Sequence, residues 1–142
     1  MPNPTVSILT TCFNRALYIG ECIESVQQSK FQDYEHIIVD DQSSDDSVEI
    51  ARSYAEKDSR IQVYVNEQNL GDYPNRNRAA ELASGKYLKY LDADDKHGRW
   101  ILNVMVDAMD EFPEAALGLL NSRPPYDNPS PFPTCHQPQE AV

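Results

Sequence analysis

Basic residues are scarce in this chain, which has 12 Lys and Arg against 23 Asp and Glu and a formal net charge of −11. Binding a phosphate backbone or an anionic lipid surface requires clustered Lys and Arg, so this balance argues against a nucleic-acid-binding protein. The same excess of carboxylates attracts cations, which makes a divalent metal the expected partner. A negatively charged substrate would need that metal, or the positive ends of helices at their N-termini, to offset the negative electrostatic field of the protein.

Long hydrophobic runs are missing as well. No stretch approaches the roughly 20 apolar residues of a transmembrane helix, and the N-terminus, MPNPTVSILT, lacks the basic leader and long apolar run of a signal peptide. The cysteines are odd in number and have no Cys-x-x-Cys spacing, so Cys12, Cys22 and Cys135 are predicted to be reduced thiols, with Cys22 in the core. We therefore expect a cytoplasmic protein, with a membrane-peripheral location left open for a longer form of it.

The glycine motifs that cradle phosphates are also absent. The chain has only 5 glycines and contains neither a P-loop nor Gly-x-Gly-x-x-Gly, which excludes Walker-type and dinucleotide-binding sites. A receiver domain needs an acidic pair after its first strand, and a haloacid-dehalogenase phosphatase needs Asp-x-Asp there. The first predicted strand ends instead in Thr10 and Thr11, so neither class fits.

What the sequence does contain is an alternation of strands and helices. Apolar and β-branched runs predict strands at residues 5–11, 36–41, 61–65 and 86–91. Segments with apolar residues at helical spacing follow each of them, most clearly at residues 99–112. Such an alternation predicts an α/β fold with a mostly parallel sheet and helices on both faces.

Several finer features follow from turn and cap residues. Asn14 is predicted to cap the first helix, Gly85 to stop the third, and residues 115–120 to form a fifth strand. We expect a single domain over residues 1–120. Residues 121–142 hold six of the 10 prolines, so we expect an extended arm or linker there.

Polar residues lie at or just after the ends of the first four predicted strands. Open parallel sheets bind ligands outside the carboxyl ends of their strands, so these side chains should meet at one edge. Three carboxylates in one cleft would raise one another's pKa, a conflict that bound Mg²⁺ or Mn²⁺ removes, and all-oxygen ligands suit these ions. The alternative, that these acids only start turns and cap helices, stays open. The nearby His97 is expected to be exposed to solvent. The residues concerned are Thr10, Thr11, Asp40, Asp41, Asn66, Asp92, Asp94 and Asp95.

Two long segments carry a family resemblance. VSILTTCFNRALYIGECIESVQQSKFQDYEHIIVDDQSSDDS and NLGDYPNRNRAAELASGKYLKYLDADD resemble the family 2 glycosyltransferases, which have the GT-A fold. The match runs from about Thr5 to Phe112, with the Thr-x-x-Asn opening, the VDD segment, the RN..A..A.G.Y segment and Asp-x-Asp in the family's order. The resemblance implies a Rossmann-like, three-layer α/β/α arrangement.

The resemblance also implies a nucleotide-sugar donor, usually a UDP-sugar. Its base would lie against Thr11 and Phe13, with Asp41 accepting a hydrogen bond from the base edge. Arg76 would approach the phosphates, and Asp92 would contact the ribose. Asp94, with Asp92, would hold a Mn²⁺ or Mg²⁺ that bridges the diphosphate. Asn14, in the Thr-x-x-Asn opening, completes the implied donor-binding set.

Family members invert at the anomeric carbon, using a carboxylate base in an acceptor-binding half. Nothing after Phe112 matches that half, so no catalytic base is identified and the acceptor stays unknown. We expect the chain to supply the donor and metal site as the donor-binding part of a longer enzyme. Exposed apolar surface and the Pro-rich arm would then favour a homodimer or larger species. Two alternatives are a non-catalytic nucleotide-binding module and a scaffold that docks a partner through that arm.

Overall fold

A computed structural model describes residues 3–118 of the protein and shows the predicted alternation of strands and helices. The four strands predicted between residues 5 and 91 and the four helices that follow them are present, with bounds that differ by a few residues from those expected. In chain order the elements are β1 (Val6–Cys12), α1 (Ile19–Gln27), β2 (Tyr34–Asp40), α2 (Ser47–Ala55), β3 (Ile61–Val65), α3 (Asp72–Leu82), β4 (Tyr87–Tyr90) and α4 (Ile101–Glu111).

The four strands form one sheet in the order β3-β2-β1-β4, and every neighbouring pair is parallel. Side chains on alternate positions of the central strands point to opposite faces. Ile8 packs on one face with Cys22 of α1 and Leu102 of α4, whereas Leu9 packs on the other with Ala79 of α3. This confirms the three-layer α/β/α arrangement.

Some boundary predictions were wrong. Asn14 does not cap α1, which begins at Ile19 after Tyr18 and has no side-chain cap. Gly85 does not end α3, because the helix already stops at Leu82. Residues 115–118 form no strand, and the rest of the predicted fifth strand lies outside the described residues.

The Pro-rich segment 121–142, predicted to be an arm, and Cys135 also lie outside the described residues. Cys12 and Cys22 are both buried and free, and burial raises the pKa of the Cys22 thiol to about 12, which agrees with a core role for that side chain. Between residues 3 and 118, none of the helices combines the length and the apolar composition needed to cross a membrane.

A buried carboxylate joins three strands to the loop before β4. Glu35 accepts hydrogen bonds from the Ser7 hydroxyl at 2.6 Å, the Ser84 amide at 2.8 Å and the Gln62 side chain at 3.0 Å. The Gly85 amide donates to the Ser7 hydroxyl at 2.8 Å, so the loop lies directly against β1. Burial alone would raise the pKa of Glu35, but these donors outweigh it and the pKa is lowered. The network sets the position of β4, and therefore of the residues that follow it.

His97 is buried rather than solvated, which corrects the sequence-based expectation. Only 6% of it is exposed, and within residues 3–118 neither of its ring nitrogens has a hydrogen-bond partner. Burial, with a smaller effect from Lys89, lowers its pKa to about 4. His36 on β2 is fully buried, and burial together with the nearby His97 lowers its pKa to about 3. Both histidines are therefore neutral in the folded protein at neutral pH.

These two histidines predict a loss of stability in mild acid. Below a pH of about 6.5 an unfolded histidine takes up a proton, whereas His36 and His97 stay neutral in the fold until the pH approaches 3 to 4. At pH 5 the difference amounts to about 2 kcal/mol for each histidine. The urea midpoint of unfolding should therefore be lower at pH 5 than at pH 7. In His97→Gln this difference between the two midpoints should be about half as large. Equal stability at the two pH values would contradict the assignment.

Candidate functional site

A cavity of about 420 Å³ opens where β1, β2 and β4 end and α3 begins. This is the edge at which the sequence predicted the polar strand ends to meet. Six of the seven predicted donor-binding and metal-binding residues line it. The lining residues are Thr11, Cys12, Phe13, Arg15, Asp41, Asn69, Gly71, Asp72, Asn75, Arg76, Asp92, Ala93 and Asp94.

Only one member of each polar pair at a strand end reaches the cavity. Thr11 lines it, whereas Thr10 is buried and its hydroxyl lies 2.9 Å from the His36 ring. Asp41 lines it, whereas the Asp40 carboxylate accepts hydrogen bonds from the amide and hydroxyl of Ser43. Successive side chains of a strand alternate in direction, and this alternation separates each pair.

Asp41 organises the wall of the cavity next to α3. Only 3% of it is exposed, and its carboxylate accepts from the Asn66 side chain at 2.7 Å and from the amides of Leu70 and Gly71 at 2.7 Å and 2.9 Å. Gly71 has φ +85, a conformation that other residues rarely adopt. The carboxylate therefore holds the turn that leads into α3 and its first residues.

The carboxylates after β4 are paired with arginines from distant parts of the chain. Asp92 accepts from Arg76 at 2.8 Å, and Asp94 accepts from Arg15 at 3.1 Å. Asp95 does not line the cavity. The expectation that all three of these acids lie in one cleft without partners is therefore wrong, because only Asp92 and Asp94 of the three line the cavity and each has an arginine partner.

Arg15 is one of the cavity residues that the sequence did not reveal, and the only arginine among them. It directly follows the Thr-x-x-Asn opening, but nothing in its local sequence shows that it meets a carboxylate 79 residues away. Asn14 shows the opposite outcome: it does not line the cavity, and its side-chain oxygen accepts from the Ser44 amide at 2.8 Å. Asn14 ties the loop after β1 to the loop after β2, and its contact with donor stays a prediction.

The residues present fit a hard divalent cation shared with a diphosphate. Asp92 and Asp94 offer carboxylate oxygens at the cavity, the ligand type that Mg²⁺ and Mn²⁺ prefer. Among residues 3–118, no group of three or more His, Cys, Asp or Glu side chains is placed to hold a metal by itself. Mg²⁺ is commonly bound by one or two carboxylates together with substrate phosphates, and this donor set matches that arrangement.

Comparison with known families decides the class of protein. Residues 7–133 match the sequence model described as "Glycosyl transferase family 2". The chain belongs to this family. It is 41% identical over 93 residues to the "Putative teichuronic acid biosynthesis glycosyltransferase TuaG" of Bacillus subtilis (strain 168), covering 66% of this chain and 37% of that protein. It is 34% identical over 94 residues to a Campylobacter jejuni "GalNAc(5)-diNAcBac-PP-undecaprenol beta-1,3-glucosyltransferase", covering 66% of this chain and 30% of that protein.

Solved structures agree with the family assignment. S. aureus TarS 1-349, in complex with UDP-GlcNAc, superposes with a TM-score of 0.71 at 28% identity, over 75% of this chain and 31% of that one. A mannosyltransferase from Pyrobaculum calidifontis, in complex with GDP-Man and Mn²⁺, shares the fold with a TM-score of 0.60 at 22% identity, over 66% of this chain and 28% of that one. The fold is that of the GT-A glycosyltransferases. This family 2 chain spans about a third of the length of the relatives and structures that it matches.

Proposed function

We propose that this chain binds the donor in a family 2 glycosyltransferase that transfers a sugar from a nucleotide diphosphate sugar, most simply a UDP-sugar. The observation that carries the proposal is the pair of carboxylates, Asp92 and Asp94, that follows β4. Both line one open cavity, and each is paired with an arginine. The TarS structure with UDP-GlcNAc, which superposes on 75% of this chain, supports a uridine nucleotide as the ligand.

The cavity residues divide into three roles under this proposal. Thr11 and the half-exposed Phe13 form a wall against which a base can stack. Asp92 lies where a carboxylate can accept from the ribose hydroxyls, and Arg76 beside it offers a guanidinium to phosphate oxygens. Asp94 is the principal metal ligand. Asp41 shapes the wall through the amides of the following turn and is the predicted partner of the base edge.

A bound metal would supply charge stabilisation of the leaving diphosphate. The residues of this chain bind and orient the donor, and the positive charge of Arg76 holds the diphosphate in place. Inversion at the anomeric carbon also needs a base that takes the proton of the acceptor hydroxyl. Of the four acids that line the cavity, Asp92 and Asp94 are assigned to the ribose and the metal, Asp41 accepts from two backbone amides, and Asp72 is paired with Arg76. We therefore place the base, and the acceptor contacts, outside residues 3–118.

Calorimetric titration tests the proposal directly. UDP should bind the chain in the presence of Mn²⁺ and should bind much more weakly when EDTA replaces the metal. GDP and ADP should bind more weakly than UDP, because the cavity wall is expected to select the base. Failure of UDP to bind with Mn²⁺ would reject the donor site.

A paired activity assay separates donor binding from transfer. Radiolabelled UDP-sugars incubated with the 142-residue chain should give no transfer to an acceptor, because residues 3–118 supply no free base near the donor and the sequence after Phe112 does not match the family's acceptor-binding half. Robust transfer by this chain would show that one of its own carboxylates acts as the base, either a partnered acid of the cavity or an acid outside the described residues, and would overturn the expectation that the chain only binds donor.

A further inference from the structure

Arg15 holds the carboxylate that the proposed site assigns to the metal. Its Nε donates to Oδ2 of Asp94 at 3.1 Å, and its Nη1 donates to the carbonyl oxygens of Phe13 and Asn14, each at 3.1 Å. The planar guanidinium thus spans three oxygens, which a flexible ammonium cannot do with the same geometry. Arg15 and Asp94 are about half exposed, with 43% and 47% of their side chains accessible, so the pair lies at the mouth of the cavity and can open.

The backbone around Arg15 is fixed from the neighbouring loop. The Arg15 amide donates to the Ser47 hydroxyl at 2.8 Å, and the Ala16 amide donates to Asp45 at 3.0 Å. Asn14 has φ 52, an uncommon conformation for a residue other than glycine. These contacts set where the Arg15 side chain starts, so its position opposite Asp94 is built into the loop rather than adopted by a free surface side chain.

We propose that Arg15 is the resident counter-cation of Asp94, and that a metal displaces it only when a nucleotide diphosphate arrives at the same time. The inference rests on the proposed donor site. A divalent ion bound to Asp94 would face the positive guanidinium across a few ångströms, and like charges at that distance repel. A diphosphate removes this repulsion, because its oxygens both coordinate the metal and accept from a guanidinium.

This arrangement makes metal and nucleotide binding mutually dependent. A metal without nucleotide has to displace Arg15 without compensation, so it should bind weakly to the wild-type protein. Nucleotide and metal together provide the released guanidinium with a new partner. Each ligand then raises the affinity for the other by the same factor, as thermodynamic linkage requires.

Arg15→Gln separates the two effects. Mn²⁺ binding without nucleotide, followed by the EPR signal of the free ion, should become about fivefold tighter, the upper range for releasing a half-exposed ion pair. UDP binding at saturating Mn²⁺ should become roughly tenfold weaker, because a charged hydrogen-bond partner of the diphosphate is lost. Arg15→Lys should show a smaller change in both, since it keeps the charge and loses the planar fork.

Arg52→Gln is the matched control, because it removes the same charge from the exposed surface of α2, away from the cavity. It should leave both affinities unchanged, and thermal unfolding should show that all variants remain folded. If Arg15→Gln does not tighten nucleotide-free Mn²⁺ binding relative to Arg52→Gln, the counter-cation role is overturned, even when UDP binding weakens. Failure of the proposed function itself appears separately, as the absence of Mn²⁺-dependent UDP binding in the wild-type protein.

Discussion

Asp94→Asn is expected to weaken Mn²⁺-dependent UDP binding by roughly 100-fold, because losing a metal ligand should cost at least as much as losing a residue that orients one, which costs about 10- to 100-fold. The amide that replaces the carboxylate is neutral and a poorer ligand for a hard cation. Calorimetric titration of UDP at saturating Mn²⁺ measures the loss, and the same titration in EDTA should give nearly the same weak affinity for variant and wild type. The effect is therefore on the metal-dependent part of binding.

Asp95→Asn provides the control for this substitution. Asp95 is adjacent in sequence and exposed, but it does not line the cavity. The two variants lose the same charge from the same loop, so a general electrostatic effect would weaken UDP binding equally in both. An equal loss would contradict the assignment of Asp94 as the principal metal ligand.

The structure also changes the expected effect of Asp94→Asn on stability. Crowded, unpaired acids would make the variant more stable than wild type, because a repulsion would be removed. Asp94 is instead half exposed and paired with Arg15 at 3.1 Å. Exposed ion pairs of this kind contribute at most about 1 kcal/mol, so the metal-free variant should be equal in stability to wild type or slightly less stable.

Gly85→Ala is expected to lower the free energy of unfolding by roughly 3 kcal/mol or more, since overpacking against rigid neighbours is among the costly substitutions. A Cβ at this position would lie 2.6 Å from the Ser7 amide nitrogen and 2.8 Å from the Val6 carbonyl carbon. These are backbone atoms of the central strand β1, so neither can move aside without disturbing the sheet. The Glu35 network that joins this loop to the sheet would be displaced as well.

Gly20→Ala is the matched control, with the same added methyl group. Gly20 lies in the first turn of α1, and its Cβ would meet nothing closer than the Tyr54 hydroxyl at 3.4 Å. Alanine is favoured over glycine in helices, so this variant should be unchanged or slightly stabilised. Chemical denaturation of both proteins tests the pair. Similar midpoints for Gly85→Ala and wild type would show that the loop can leave β1 without cost.

Which of two neighbouring polar residues faces the cavity could be predicted only in part. Strand periodicity says that Thr10 and Thr11 point to opposite faces, but not which face carries the ligand. In the structure Thr10 meets His36 inside the protein and Thr11 faces the cavity. The choice depends on where α1 and α3 pack, which is a property of the whole sheet rather than of either strand.

Long-range pairing explains what sequence reasoning missed. Arg15 and Asp94 are 79 positions apart, and Arg76 and Asp92 are 16 apart. Ion pairs within one helix or hairpin have a characteristic spacing, whereas pairs between loops at one sheet edge have none. The burial of His97 escapes prediction for a similar reason, because whether a loop residue is buried depends on the elements that cover it.

The sequence by itself determined the class of fold, the family and the edge of the sheet where the site lies. Hydrophobic periodicity and strand–helix alternation are local properties, and parallel strands bring their carboxyl ends together whatever the details of packing. Tertiary structure alone decided that Asp41 would hold the turn before α3 and that Gly85 would lie against β1. It also decided that Asp92 and Asp94 would each meet an arginine, because side chains from separate loops become neighbours only when the sheet and its helices have assembled.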